Sequence, residues 1–272
     1  MVSVPEPKDV LARFVHARTT DRVLFADDVD DALQILSADR HREFVFLDLG
    51  AELACADAPD ARVVPAQVDL ATTLAAVEAE LIVRPADVLL VPGVADPTGE
   101  VLPLSKLASI AHRNNARLVV DAGELATRRI INLTSHGIDY LVLSGQSVAG
   151  FGPAAIIGRG DWLPDVDAHP VNPAVAHGLA QAAVAVGDLG FDWIGLHEES
   201  LSAVVDDAVN RLPGARRLRL WPDARDRVGL ASVAVAGRFE PVNIRWGIGT
   251  GHKELARQLN SLANVVFEQE TS

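Results

Sequence analysis

Polar residues stand where runs of aliphatic residues stop. Asp121 closes Arg-Leu-Val-Val-Asp (117–121), and Glu124 follows three residues later. Ser144 closes Tyr-Leu-Val-Leu-Ser (140–144), with Ser147 three residues on, and Asp96 follows the apolar run that ends near residue 92. Gathered carboxylates can divide acid and base roles between them. A serine hydroxyl becomes a nucleophile when a base takes its proton. Asp121, Glu124, Ser144 and Ser147 are therefore the candidate catalytic residues, although no third group in the sequence orients a nucleophile.

For these residues to meet, strands must lie side by side and end together. Short apolar runs bounded by Gly, Pro or Asp read as buried strands at 22–26, 43–48, 61–66, 87–92, 116–121, 138–143 and 154–158. Helical patterns occupy 7–18, 30–38, 69–83 and 103–114, the last with Pro103 in its first turn. Alternating strand and helix implies a mostly parallel sheet with right-handed crossovers. Ligands of such sheets bind at the carboxyl ends of the strands. Two helices follow, near 174–187 and 192–212. Strands at 216–221, 228–236 and 242–246 and a helix at 252–263 then complete a smaller unit. The expected fold is α/β: a three-layer αβα arrangement with a seven-stranded, mostly parallel sheet over residues 1–190, and a small α+β C-terminal domain over 191–272.

Composition bounds the function. With 272 residues the chain can bury a large core, and 49% of them are apolar. A net charge of −13 and the absence of a basic cluster argue against a nucleic-acid or anionic-membrane partner. The single cysteine, Cys55, excludes an internal disulfide framework and suits a reducing cytoplasm, the expected location. Cys55 itself reads as a packed small residue. No signal peptide is expected at the first residues, and no apolar run reaches the ~18 residues needed to span a bilayer. Only Lys8, Lys106 and Lys253 are lysines.

The order strand-Asp-Ala, strand-Ser-Gly, Gly-Pro-x-x-x-x-Gly (Asp121-Ala122, Ser144-Gly145, Gly152 to Gly158) resembles the fold-type-I pyridoxal-phosphate enzymes, in the branch of class V aminotransferases and cysteine desulfurases. The resemblance implies a seven-stranded large domain with its last strand antiparallel. It also implies a dimer, and a cofactor whose ring nitrogen pairs with Asp121. Against the family pattern, a first segment of several dozen residues is missing and the C-terminal domain is abbreviated.

The family's other markers are altered. Its second strand ends in Ser-Gly-His-Lys, the lysine holding the cofactor, whereas this chain has Ser144-Gly145-Gln146-Ser147. Its phosphate cup corresponds to residues 25–33, where Asp28 and Asp30 set negative charge against a phosphate; like charges ~4 Å apart cost roughly 4 kcal/mol at a dielectric of ~20. As helix caps, the same residues would complement the helix dipole. No aromatic residue lies in 48–53 to stack on a ring, Asp96 replaces an asparagine, and Glu124 replaces glutamine or histidine. No cysteine follows Arg245. Thr250-Gly251-His252-Lys253 imitates the lysine motif in the wrong context.

The expectation is a catalytically degenerate relative, a pseudoenzyme with no cofactor, in which Asp121 and Ser144 are vestigial pyridoxal-phosphate positions. It would act as an interaction, regulatory or small-molecule-binding partner, as a homodimer or paired with an active pyridoxal-phosphate enzyme. Cofactor-independent chemistry by the cleft carboxylates and serines is the alternative, and conventional transferase or desulfurase activity a second. No metal site is expected, since His112, His136 and His197 read as surface or capping residues.

Overall fold

The computed structural model describes residues 5–38, 42–50, 62–164 and 171–259. Cys55, residues 51–53 of the 48–53 stretch and the end of the helix expected over 252–263 fall outside these residues.

Seven strands form the main sheet: β1 (Asp21–Ala26), β2 (Phe44–Asp48), β3 (Arg62–Pro65), β4 (Val88–Pro92), β5 (Arg117–Asp121), β6 (Tyr140–Ser144) and β7 (Ala154–Arg159). Their order is β1-β7-β6-β5-β4-β2-β3. β2 to β6 pair in parallel, while β7 runs antiparallel to both its neighbours, β1 and β6. The seven expected strands and the antiparallel last one are therefore observed. Alternate residues serve opposite faces, as the two-residue strand period requires. Leu141 and Leu143 enter one apolar cluster, and Tyr140 and Val142 the other. A sheet covered on both faces needs continuous apolar strands, which is why β4 and β6 lack a polar face.

The covering helices are α1 (Pro7–Phe14), α2 (Val29–Leu36), α3 (Leu70–Val83) and α4 (Leu104–Arg113). Asp28 and Asp69 cap α2 and α3, accepting hydrogen bonds from Asp31 N and Thr72 N. Three short helices that apolar periodicity does not show, α5 (Gly123–Ala126), α6 (Leu133–His136) and α7 (Gly145–Ala149), follow β5 and flank β6. At four or five residues each, they are too short to display a helical period.

Two long helices, α8 (Pro173–Leu189) and α9 (Phe191–Arg211), lead to a three-stranded antiparallel sheet ordered β10-β9-β8. Its strands are β8 (Arg216–Arg217), β9 (Leu230–Ala234) and β10 (Val242–Arg245). A further helix, α10, is described over 252–259. Leu201, Val205 and Val209 of α9 pack with Val233, Ile244, Trp246 and Leu255. β8 is shorter than the strand expected over 216–221, because the chain turns so that Trp221 is fully buried among the residues of the large-sheet core. Among the described residues no single helix is long and apolar enough to cross a membrane.

Candidate functional site

Parallel pairing aligns the ends of β4, β5 and β6: Pro92 faces Asp121, and Asp121 faces Val142. Past those ends the chain turns at Gly123 and Gly145, and close approach explains both glycines. A Cβ on Gly145 would lie 2.2 Å from the Pro153 carbonyl. A Cβ on Gly123 would lie 2.9 Å from Ser147 Oγ, 3.0 Å from Ser144 Cβ and 3.4 Å from Asp121 Oδ1. Asp121, Ser144 and Ser147 thus surround Gly123, and the sequence-identified residues do converge. Asp121 Oδ1 accepts from Gly123 N at 3.0 Å, and Ser144 Oγ accepts from Ser147 N at 3.3 Å. Burial raises the pKa of Asp121, the Gly123 N–H opposes that, and the charge of Glu124 adds to the rise. Among the described residues no histidine or carboxylate is hydrogen-bonded to either serine hydroxyl, so neither has the base a nucleophile needs.

Glu124 and Asp96 do not act as a free pair. Arg245, the last residue of β10, reaches across from the C-terminal unit. Its Nη1 donates to Glu124 Oε1 at 2.8 Å and its Nη2 to Asp96 Oδ2. Arg128 Nη2 donates to the other oxygen of Glu124 at 3.2 Å. Deeper in the seam lies Glu198, 4% exposed. Its Oε1 accepts from Arg128 Nη1 (2.5 Å) and Gly229 N (3.2 Å), and its Oε2 from Arg129 Nη1 (3.1 Å). Arg129 also pairs with Asp226 at 3.0 Å. Arg128, Arg129 and Glu198 escape a reading based on strand ends, but one signal was present: Ile194, Glu198, Leu201, Val205 and Val209 form the buried stripe of α9, with a carboxylate inside it.

A cavity of about 430 Å³ adjoins this cluster, lined by Ser147, Arg128, Glu198 and the loop Gly247–Thr250 on one side and by α8 on the other. A larger one, about 970 Å³, lies between the start of α4 and that of α9 and includes Lys106. Lys8 sits on α1 and Lys253 on α10. None of the three lysines is among the residues around Gly123 or lining the smaller cavity. The Thr250–Lys253 stretch is the start of α10, with Thr250 Oγ1 accepting from Gly247 N. Near α2, Asp28 Oδ1 accepts from Asp31 N and Asp31 Oδ2 from Asp27 N, so this helix start is capped by its own carboxylates. Ala26 faces Ala154, which faces Ser144. Two strand spacings, roughly 10 Å, therefore separate that helix start from the Gly123 cluster. His112 pairs with Asp139 at 2.7 Å, His197 Nε2 bonds to the Thr250 carbonyl, and His136 accepts from Asn132 N. Among the described residues no group of three or more His, Cys, Asp or Glu is arranged to hold a metal ion.

The chain matches the family model described as aminotransferase class V over residues 6–171. It is 24% identical to a probable cysteine desulfurase of Mycolicibacterium paratuberculosis, over 88% of this chain and 40% of that protein. It is 23% identical to one of Halalkalibacterium halodurans, over 76% and 61% respectively. The chain thus spans 40–61% of the length of these two relatives. A NifS-like protein from Rickettsia africae superposes with a TM-score of 0.83 at 11% identity, over 95% of this chain and 86% of that one. The apo cysteine desulfurase of Thermococcus onnurineus gives 0.80 at 14% identity, over 96% and 83%.

These matches overturn the expectation of no cofactor, because the matched family and its cysteine desulfurases are pyridoxal-phosphate-dependent. That expectation rested on the missing lysine, the acidic helix start, the absent stacking residue and the absent cysteine taken together, and the match over most of the chain outweighs it. The site fits the ring: an enclosed carboxylate, Asp121, ends β5 beside the hydroxyls of Ser144 and Ser147. Among the described residues the cluster around Gly123 contains hydroxyls and no lysine.

Proposed function

The chain belongs to the aminotransferase class V family, and on that premise we propose that it is a degenerate member whose strand-end cleft binds a pyridoxal-phosphate-type ligand without covalent attachment. When bound, that group supplies an electron sink for reactions at an amino carbon. Asp121 would face the ring nitrogen and hold a proton there, its raised pKa making the shared proton easier to keep. Ser144 and Ser147 would offer hydroxyls to the polar edge of the ring. Glu124, divided between Arg245 and Arg128, is not free to take a proton from a substrate.

The observation that carries this reading is Ser147. Its Oγ packs against Gly123 beside Asp121, and a hydroxyl cannot form the carbon–nitrogen link that an amine can. The protein would therefore bind and present rather than turn over. Self-association, or pairing with an active relative, is part of the proposal. Leu189, Trp193 and Leu196 are exposed near the junction of α8 and α9, and exposed apolar residues there favour an interface. The alternative of cofactor-independent catalysis is less favoured, because the serines lack a base and Glu124 is saturated.

Titration with pyridoxal phosphate, then borohydride reduction and peptide mapping, tests the reading. Reversible binding with no dominant pyridoxyl-lysine is the expected result, alongside no release of alanine from cysteine. High-yield modification of one lysine, or steady desulfuration, would refute it.

A further inference from the structure

Phe239 is wholly exposed, and it stands between two charges, Arg238 and Glu240, in the loop joining β9 to β10. The loop is held out as a tip. Val242 pairs with Val233 at its base, Arg238 N donates to the Val235 carbonyl at 3.1 Å, and Gly237 takes φ +80° to make the turn. Among the described residues the side chains of Arg238 and Glu240 are neither ion-paired nor hydrogen-bonded. An aromatic ring left in water adds little to its own fold, and such rings commonly anchor interfaces.

The larger cavity carries the matching pattern. Its body is apolar, with buried Leu125 beside Phe191 and the exposed Ile130 and Leu196. Of its charged lining, Arg128, Arg129 and Asp226 are committed to the seam. That leaves Lys106 on the α4 wall, and Asp192 and Glu199 on the α9 wall. Among the described residues none of these three side chains has an ion-pair or hydrogen-bond partner. A chain does not fill its own cavity: Asp226 lies before β9, whose four residue steps carry the chain roughly 14 Å onward to the tip, where Phe239 touches nothing.

We propose that the Arg238–Glu240 tip of one copy docks in the larger cavity of a second copy. Phe239 enters the apolar body, Glu240 meets Lys106, and Arg238 meets Asp192 and Glu199. Cation, ring and anion on the tip thus face anions, apolar wall and cation in the cavity. Each copy has one tip and one cavity, so the contact is head-to-tail and continues from copy to copy, as a ring or an open chain. The inference rests on the self-association part of the reading above and gives it a named contact that is not two-fold. Net charge of −13 opposes approach, but screening confines that repulsion to ~8 Å at physiological salt. A contact this small is weak, with a dissociation constant of about 10–100 µM.

Sedimentation velocity of the full chain, from about 1 µM to about 1 mM, tests this. The mean mass should keep rising with concentration, and Phe239→Ser should stop the rise. Both Phe239 and Ile130 are exposed, so their substitution leaves the fold intact. Lys106→Glu and Glu240→Lys each set like charges together and should weaken association by about fivefold or more. Combined in one chain they restore opposite charges, and the dissociation constant should return to within about twofold of the parent. Mixing separates this contact from a symmetric one. Phe239→Ser keeps its cavity and Ile130→Asp keeps its tip, so neither grows alone while the two bind each other. A mass that does not rise with concentration overturns the proposal. So does a rise that Phe239→Ser leaves unchanged, or a charge-reversed pair that fails to recover. Such a failure leaves non-covalent ligand binding standing, because that is judged by the lysine adduct, and leaves a symmetric pairing through α8 and α9 standing as well.

Discussion

Glu198 and Arg245 both fasten the C-terminal unit to the large sheet, and they do so in opposite surroundings. Glu198 is buried, and its two oxygens accept from Arg128, Arg129 and a backbone N–H. The Arg245 side chain is 52% exposed, and its partners Asp96 and Glu124 are 32% and 30% exposed. A buried charge stripped of its partners cannot recover them from water, whereas an exposed one can. The two contacts therefore do different work. Glu198 fixes where α9 and the loop before β9 sit, while Arg245 makes an exchangeable contact at the rim of the cleft.

Three substitutions can break or sharpen this contrast. Glu198→Ala should cost about 3–5 kcal/mol, because it removes the buried carboxylate shared by Arg128 and Arg129, leaving them only Glu124 and Asp226 as carboxylate partners, and leaves the Gly229 N–H without its acceptor. Urea unfolding would show it, and a loss under about 1 kcal/mol would mean that water enters the seam freely.

Asp121→Asn should act in the other direction. The folded-state pKa of Asp121 lies above its unfolded value, so the folded protein binds this proton more tightly and the contribution of Asp121 to stability falls as pH rises through the folded pKa. Asn keeps an oxygen for Gly123 N and carries no charge. The variant should therefore be more stable than the parent at neutral pH, with the advantage shrinking towards the unfolded carboxylate value near pH ~4. Urea midpoints across that range decide it; equal midpoints at pH 7 would show that the carboxylate is solvated.

Arg245→Gln should change stability least, by about 0–1 kcal/mol, and less in high salt. A larger, salt-independent loss would place Arg245 with Glu198 as a fixed structural contact and erase the distinction between the two.

Much of the scaffold could be read in advance, because buried parallel strands need uninterrupted apolar runs and those runs stop at Asp121 and Ser144. The convergence of Asp121, Ser144 and Ser147 followed from the same logic. The seam did not, since it joins residues remote in sequence. Arg245 meets Asp96 and Glu124 only after two sheets have formed, and Arg128 and Arg129 meet Glu198 across the whole of β6 to α8. The shortening of β8 was equally hidden: Trp221 fits a strand pattern, and only the adjoining core shows why it leaves the strand. At the α2 start Asp28 is the cap its sequence position suggests, while Asp31 rather than Asp30 supplies the second bond. The altered markers read residue by residue weighed against a cofactor, and the family pattern over residues 6–171 outweighs them.

The pairing of β1 with β7 has a consequence for synthesis. β1 leaves the ribosome early, yet its neighbour in the sheet is made last of the seven, with Ala26 waiting for Ala154. At ~5–20 residues per second that interval is roughly 6–26 seconds. During it, an apolar strand with unsatisfied N–H and C=O groups is open to any passing edge. Capture of the nascent chain by a holdase until residue 159 has emerged would shield that edge for the whole interval.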